Sequence, residues 1–303
     1  MKGKDFLSIS DLNQGDFSRV MQRAIDMKAG RAEPILAGRT LALLFEKPSL
    51  RTRVSFDVAM SQLGGHCIYL SQAEVGLGSR ESIADVARTL SRYIDVISAR
   101  TFAHATAEAL ARHASVPVVN ALSDREHPCQ ALADLLTIRE KKGKLDGVTV
   151  AYVGDGNNVA NSLLLACALA GVRFRIASPG GYEVSEEIMA LGRGLVGGAG
   201  SIALVERPEE AVRGADVVYT DVWTSMGQEA ESEKRRRDFQ GYQVNEKLLS
   251  LAVKDSILMH PLPAHYGEEI APDLADSPHS VIFDQAENRL HAQKAILVEL
   301  LSR

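Results

Sequence analysis

Residues 45 to 53, Phe45-Glu46-Lys47-Pro48-Ser49-Leu50-Arg51-Thr52-Arg53, put two arginines and two hydroxyls straight after the apolar run Leu41 to Phe45. A strand ending at Glu46, a turn at Lys47-Pro48 and a helix opening near Thr52 would aim unpaired backbone N–H groups, the positive helix terminus and the Arg51 fork at one point. That point suits a small dianion. Taken alone, the same Ser-x-Arg-Thr-Arg is equally an N-capped helix with solvated arginines, so other residues must decide.

Arg100 comes two residues after an extended run at Val96 to Ser98, and His127-Pro128-Cys129-Gln130 follows the run Val116 to Val119 and opens a helix. Together they suit one anionic substrate. Arg100 and a neutral or protonated His127 can both donate to a carbonyl oxygen that gains negative charge in a transition state, and Gln130 offers a donor and an acceptor. In the second half, Gly154-Asp155-Gly156-Asn157-Asn158 follows the run Val148 to Val153. A dinucleotide turn is disfavoured there, because Val159 stands in place of the third glycine and the next strand ends at Ser178-Pro179 with no acid for a ribose. Asp221-Val222-Trp223-Thr224-Ser225-Met226-Gly227 places a carboxylate and a hydroxyl in a loop hinged at glycine. Asp221 and Ser225 can accept from an ammonium, while Asn158 and a backbone N–H can bind a carboxylate, so this loop suits an amino-acid head group. The charged run Glu229 to Arg237, flanked by Gly227 and Gly241, is expected as a solvated helix with the option of moving as a lid.

These groups gather at strand ends, where open α/β sheets place ligands. Strands are expected at Thr40 to Phe45, Cys67 to Leu70, Val96 to Ser98 and Val116 to Val119, with a helix from Thr52 to Leu63 stopped by Gly64-Gly65. Further on, Val148 to Val153, Phe174 to Ala177, Ile202 to Val205, Val217 to Thr220, Ser256 to Met259 and Val281 to Phe283 are expected as buried strands. The helical stretch Gln130 to Lys141 links the halves, and a last helix spans Glu287 to Leu301. The fold class is α/β: two doubly wound parallel-sheet domains, with the C-terminal helix packing back on the first.

Composition sets outer limits. The chain has 303 residues, 46% hydrophobic and 24% charged, with formal charge -5, which fits two globular domains and gives no basic footprint for nucleic acid. No apolar core follows Met1-Lys2-Gly3-Lys4-Asp5, and Leu163 to Val172 is too short to span a bilayer, so no membrane partner is expected. Cys67, Cys129 and Cys167 lie far apart and fall in no metal-ligand spacing, as expected of reduced cytoplasmic thiols.

In this light the chain closely resembles the aspartate/ornithine carbamoyltransferase superfamily, and within it the ornithine carbamoyltransferases. The resemblance runs almost end to end through Ser49-Leu50-Arg51-Thr52-Arg53, His127-Pro128-Cys129-Gln130, Asp221 through Ser225-Met226-Gly227, His260-Pro261-Leu262-Pro263 and Ala286-Glu287-Asn288-Arg289. It implies a carbamoyl-phosphate domain at residues 1–140, completed by 285–303, and an ornithine domain at 141–284. It implies transfer of the carbamoyl group to the δ-amine of L-ornithine, giving L-citrulline and phosphate, by a cytoplasmic homotrimer or multiple of trimers without cofactor or metal. It assigns Ser49, Leu50 through its backbone, Arg51, Thr52, Arg100, His127, Gln130, Leu262 and Arg289 to carbamoyl phosphate, and the carbonyl of Pro261 can accept there too. Asn158, Asp221, Ser225 and Met226 go to ornithine. Arg100, His127, Thr52 and Asp221 are the catalytic candidates.

Three positions depart from the ornithine-enzyme pattern. Leu50 replaces a threonine. Gly76 stands where a polar side chain reaches into the neighbouring subunit's site, a contact that Gln72 or Arg80 could supply instead. Pro261 replaces a cysteine, giving the His-Pro-Leu-Pro of aspartate enzymes. An aspartate acceptor would need extra cations where this chain has Asp221, and putrescine lacks the α-amino acid head that Asn158 and the Ser-Met-Gly loop suit. A non-catalytic scaffold on the same fold would be expected to lose Arg51, Arg100 or His127.

Overall fold

The run Thr-Leu-Ala-Leu-Leu-Phe forms β1 (Thr40–Phe45), apolar almost throughout because a parallel strand covered on both faces has no solvent side. The computed structural model describes residues 1–30, 33–225 and 227–302. Its contacts divide the chain into two compact units, Met1–Leu136 with Glu287–Arg303, and Thr137–Ala286.

In the first unit β1, β2 (His66–Ser71), β3 (Val96–Arg100) and β4 (Val118–Leu122) form a parallel sheet in the order β2-β1-β3-β4. The helices are α1 (Gln14–Lys28), α2 (Leu50–Gln62), α3 (Gln72–Val75), α4 (Ile83–Leu90), α5 (His104–His113) and α6 (Pro128–Lys142). Ala42, Leu44, Ile97, Ala99, Leu110 and Val118 are among the residues of one core cluster. The second unit pairs β5 (Thr149–Val153), β6 (Arg173–Ala177), β7 (Ser201–Val205), β8 (Val217–Thr220) and β9 (Ile257–Met259) in the order β7-β6-β5-β8-β9, all parallel. Its helices are α7 (Asn158–Leu169), α8 (Glu186–Leu195), α9 (Pro208–Val212), α10 (Ser232–Asp238) and α11 (Glu246–Leu249), followed by α12 (Ile282–Leu301). The division between units falls within α6 and within α12, and α12 from Glu287 onward belongs with the first unit.

Strand order locates ligand chemistry. The chain leaves β1 for β2 on one side and later crosses to β3 on the other, so β1 and β3 flank a topological switch point; β5 and β8 flank the second. Loops that part there open a crevice at the carboxyl ends of the strands.

Several expected boundaries move. The helix after β1 begins at Leu50 rather than near Thr52, because Ser49 is its cap. β3 runs on to Arg100, with a register shift at Ala99/Arg100 that leaves Ala121 of β4 without a partner in the ladder. β4 starts at Val118 instead of Val116, since Pro117 has no N–H for the ladder. β7 is an outer strand, and its side chains are largely exposed rather than buried. Val281 to Phe283 is no strand: Ser280 makes a single bridge to Leu258, and α12 then begins at Ile282. Among the described residues no helix is long and apolar enough to cross a membrane.

Candidate functional site

The first unit gathers its cations at the β1/β3 switch. Ser49 Oγ accepts from the Thr52 N–H at 3.3 Å, which opens α2 and leaves its first N–H groups without intrahelical acceptors. Phe45 pairs with Arg100, and the Glu46 N–H donates to the Arg100 carbonyl at 2.8 Å, so the arginine at the end of β3 stands beside the α2 start. Thr52 is fully buried, and its Oγ1 accepts from Arg289 Nη2 at 2.7 Å, a bond between residues far apart in sequence. His127 is buried immediately before α6, where Pro128 takes a first helical position that needs no N–H donor.

The electrostatics of this cluster are those of an anion receptor. Burial, then Arg289 and Arg51, push the Arg100 guanidinium down to about 10, and its Nε is buried with no partner among the described residues. Burial, then Arg289, Arg100 and Lys47, hold His127 well below the ordinary imidazole value. Of the two protonation states expected for His127, the neutral one prevails at physiological pH, so the ring donates through one N–H. Arg51 is also lowered by burial. An anion would relieve the mutual repulsion of these cations. Arg53 takes no part, because its guanidinium stacks on Tyr69 with Cζ 3.9 Å from the ring centroid. Lys47 was not singled out from sequence. It is partly buried, held over the Phe102 ring at 5.1 Å, and its pKa is lowered by burial and then by Arg100.

The second unit builds a different cluster at the β5/β8 switch, where Thr220 Oγ1 donates to the Val153 carbonyl at 2.7 Å. Asp221 is buried, and Asn157 Nδ2 donates to its Oδ2 at 2.8 Å. The Asn157 Oδ1 meanwhile caps α7, accepting from Val159 and Ala160 N–H groups. Asn157 thus orients Asp221, a role the sequence reading missed although an Asn-Asn pair before an apolar helix signals a cap. Burial raises the Asp221 pKa, with His260 and Asn157 opposing. Asn158 is the first residue of α7. The Ser225 N–H donates to Gln228 Oε1 at 3.1 Å, and Met226 lies outside the described residues. Gly156 packs so closely on the Tyr182–Val184 backbone that no Cβ fits, which gives this glycine a packing reason instead of a nucleotide.

The charged run is the largely solvated helix expected of it, with Arg235 the one residue of the run turned inward. Arg235 on α10 is 6% exposed; its Nη1 donates to Asp155 Oδ2 and to the Trp223 carbonyl, both at 2.8 Å, and its Nε to Glu231 Oε2 at 3.1 Å. It fastens the loop that carries Ser225 to the end of β5.

Pro261 and Leu262 belong to the second unit. Leu262 has a φ of 58°, a left-handed conformation unfavourable for a branched side chain, and its N–H donates to His260 Nδ1 at 2.9 Å. That bond puts the imidazole proton on Nε2, which donates to Glu269 Oε1 at 3.0 Å. Gly76 ends α3 with φ 63°, and Gln72 and Arg80 both donate within their own loop, to the Leu77 and Glu74 carbonyls. Among the described residues His265, Glu268 and Glu269 bring ligand-type atoms within 4.8 Å of one another, a grouping not anticipated from sequence spacing. Their carboxylates are committed elsewhere, Glu268 to Arg236 and Glu269 to His260.

Comparison with known proteins bears on both clusters. Residues 4–140 match the family model described as "Aspartate/ornithine carbamoyltransferase, carbamoyl-P binding domain", and residues 146–300 match "Aspartate/ornithine carbamoyltransferase, Asp/Orn binding domain". The chain is 54% identical over 299 residues to the ornithine carbamoyltransferase of Thermus thermophilus, covering 98% of this chain and 97% of that protein. It is 51% identical over 300 residues to that of Bacillus subtilis, covering 99% and 94%. The solved structure of ornithine carbamoyltransferase from Pyrococcus furiosus superimposes with a TM-score of 0.95 at 51% identity, covering 99% of this chain and 97% of that one. The chain belongs to the aspartate/ornithine carbamoyltransferase family.

Proposed function

We propose that this protein transfers the carbamoyl group of carbamoyl phosphate to the δ-amine of L-ornithine, yielding L-citrulline and phosphate. The observation that carries the reading is the crowding of Arg51, Arg100 and Arg289 around buried Thr52 and neutral His127, cations poised for a phosphorylated substrate. Ser49, the Leu50 N–H, Arg51 and Arg289 take the phosphate, and Thr52, Arg100 and His127 face the carbonyl oxygen. Gln130 accepts from the carbamoyl NH₂. Asp221 and Ser225, with Met226, hold the ammonium end of ornithine, and Asn158 its carboxylate.

The chemistry follows from these placements. Neutral δ-nitrogen attacks the carbamoyl carbon, and the new C–N bond pushes a π pair onto oxygen. Arg100 and the His127 N–H stabilise that oxyanion. Thr52 helps for a reason visible in its bonding: Oγ1 already accepts from Arg289, which leaves the hydroxyl hydrogen to donate. Collapse breaks the C–O bond to phosphate, and Arg51 with the α2 terminus steadies the departing dianion. The amine, with an ordinary pKa of about 10.4, gives its first proton to Asp221 or solvent and its second to the departing phosphate.

A phosphate-release assay with ornithine, putrescine, aspartate and N-acetylornithine tests the function, and turnover should be confined to ornithine. Equal turnover of putrescine would overturn the acceptor assignment. Arg51→Lys should weaken carbamoyl-phosphate binding about tenfold or more, because an ammonium cannot reproduce the planar fork; calorimetry that finds unchanged affinity removes Arg51 from the site.

No thiol takes part. Burial pushes Cys67 and Cys129 up to about 12, so neither supplies thiolate near neutral pH, and Cys129 packs toward the Asn120 carbonyl. Cys167 is buried. The Cys67→Ala, Cys129→Ala, Cys167→Ala triple variant should keep kcat within about tenfold, less than about 1.4 kcal/mol of barrier. A folded triple variant slowed beyond about a hundredfold, some 2.7 kcal/mol, would restore a thiol to the mechanism.

The assembly is a cytoplasmic homotrimer. Leu50, Val54 and Val58 recur every four residues along α2 and are exposed, beside Ile68 on outer strand β2. That apolar stripe suits a subunit interface, and sedimentation equilibrium that returns the 32.8 kDa of a lone chain would refute it.

A further inference from the structure

Asp134 sits one helical turn beyond Gln130 on α6, itself about one turn from His127, so the three share a face. Asp134 and Gln130 are both fully buried, and Gln130 Nε2 donates to Asp134 Oδ1 at 2.8 Å. A carboxylate only accepts, which leaves the Gln130 amide a single orientation: its NH₂ on Asp134, its carbonyl oxygen turned away. That oxygen, Oε1, is buried and meets no donor among the described residues. A buried acceptor without a donor is unfavourable, and a ligand N–H is what would satisfy it.

We propose that Asp134 is a positioning residue that locks Gln130 as a pure acceptor, so that the site selects an acyl phosphate whose acyl group carries N–H over one of equal size that carries methyl. The inference rests on the assignment of Gln130 to carbamoyl phosphate. Carbamoyl phosphate and acetyl phosphate share the phosphate, the bridging oxygen and the carbonyl, and differ only in NH₂ against CH₃. The carbamoyl NH₂ donates to Gln130 Oε1. A methyl group buries that oxygen unpaired. With Asp134 replaced by asparagine, whose side chain both donates and accepts, the Gln130 amide is free to turn its own NH₂ inward, where it opposes the carbamoyl donor and is indifferent to methyl.

The unmodified protein supplies the first measurement, the calorimetric Kd of carbamoyl phosphate against that of acetyl phosphate. Acetyl phosphate should bind about tenfold or more weakly, and equal affinity overturns the proposal whatever any variant does. Asp134→Asn should weaken carbamoyl phosphate about tenfold while acetyl phosphate and the KM for ornithine move less than about threefold, so the discrimination collapses. A merely structural role would weaken both acyl phosphates together, which counts against the proposal. Gln130→Ala separates the two levels of argument. If it leaves carbamoyl-phosphate affinity unchanged, the assignment of Gln130 fails; if it abolishes discrimination while Asp134→Asn preserves it, Gln130 stands and Asp134 falls.

Discussion

Asp221→Asn lowers kcat/KM for L-ornithine by roughly a hundredfold or more, about 2.7 kcal/mol of transition-state stabilisation, and leaves carbamoyl-phosphate affinity almost unmoved. The size follows from burial. Asp221 is 6% exposed, so its attraction for an ammonium is weakly screened by water, and the asparagine puts either a neutral oxygen or an opposing NH₂ in its place. The second effect is on orientation. Asn157 Nδ2 now donates to an ionised oxygen at 2.8 Å; facing an amide it binds more weakly and no longer fixes which side faces the substrate. Because burial raises the Asp221 pKa, the carboxyl gains its proton at a higher pH than an ordinary aspartate does as pH falls. Both proteins should lose kcat/KM as pH falls below the δ-amine pKa, and the unmodified enzyme should show a further acid limb from Asp221 that the variant lacks. Steady-state kinetics across pH checks both points, and a loss smaller than about threefold, under 0.7 kcal/mol, would take Asp221 out of acceptor binding.

Arg235→Met destabilises the protein by about 3 kcal/mol near pH 8, because it strands the Asp155 carboxylate in a buried place and drops the hydrogen bond to the Trp223 carbonyl. Methionine keeps much of the stem volume, so lost packing is a small part of the effect. The penalty should depend on pH with a definite sign. Burial already raises Asp155 from 3.8 to about 6 against the lowering influence of Arg235. Removing the guanidinium raises it further, and a carboxyl whose folded pKa lies above its unfolded value binds more protons when folded, so the variant gains stability relative to the parent as pH falls. Thermal denaturation at pH 8 and pH 5 should show the larger gap at pH 8. The KM for ornithine should rise as well, since Arg235 fastens the Trp223–Gly227 loop, with carbamoyl-phosphate affinity intact. Equal destabilisation at both pH values would mean that Asp155 is not the group left unpaired.

Much of this protein was legible without coordinates because local chemistry controlled it. Thr40 to Phe45 and Val217 to Thr220 are strands at the positions expected, since runs buried on both faces carry their burial in their composition. The glycine loops and a helix opening soon after the Lys47-Pro48 turn came from caps and turns, which act over a few residues, although the helix starts at Leu50 and not near Thr52. The family was legible for a related reason: ordered short motifs survive as strings. Where the sequence signal was ambiguous, boundaries slipped. Val281 to Phe283 is apolar and short, and only the single bridge from Ser280 to Leu258 ahead of α12 decides between strand and helix.

What tertiary structure alone decided lies in pairings across long separations. Nothing local ties Arg289 to Thr52, yet their bond occupies the threonine oxygen as an acceptor and so leaves its hydroxyl hydrogen to donate. The run Glu229 to Arg237 carries charge throughout, and polarity by itself marks it as surface; that Arg235 is buried follows only from where Asp155 and the Trp223 carbonyl come to rest. His127 has the ordinary imidazole pKa in any sequence, and its neutrality here comes from burial among Arg289, Arg100 and Lys47. Residue types and their local order thus determined which chemistry the chain carries and on which elements. The protonation states and orientations of those groups depend on desolvation and on neighbours brought together only by folding, because both vary with distance in space and not along the chain.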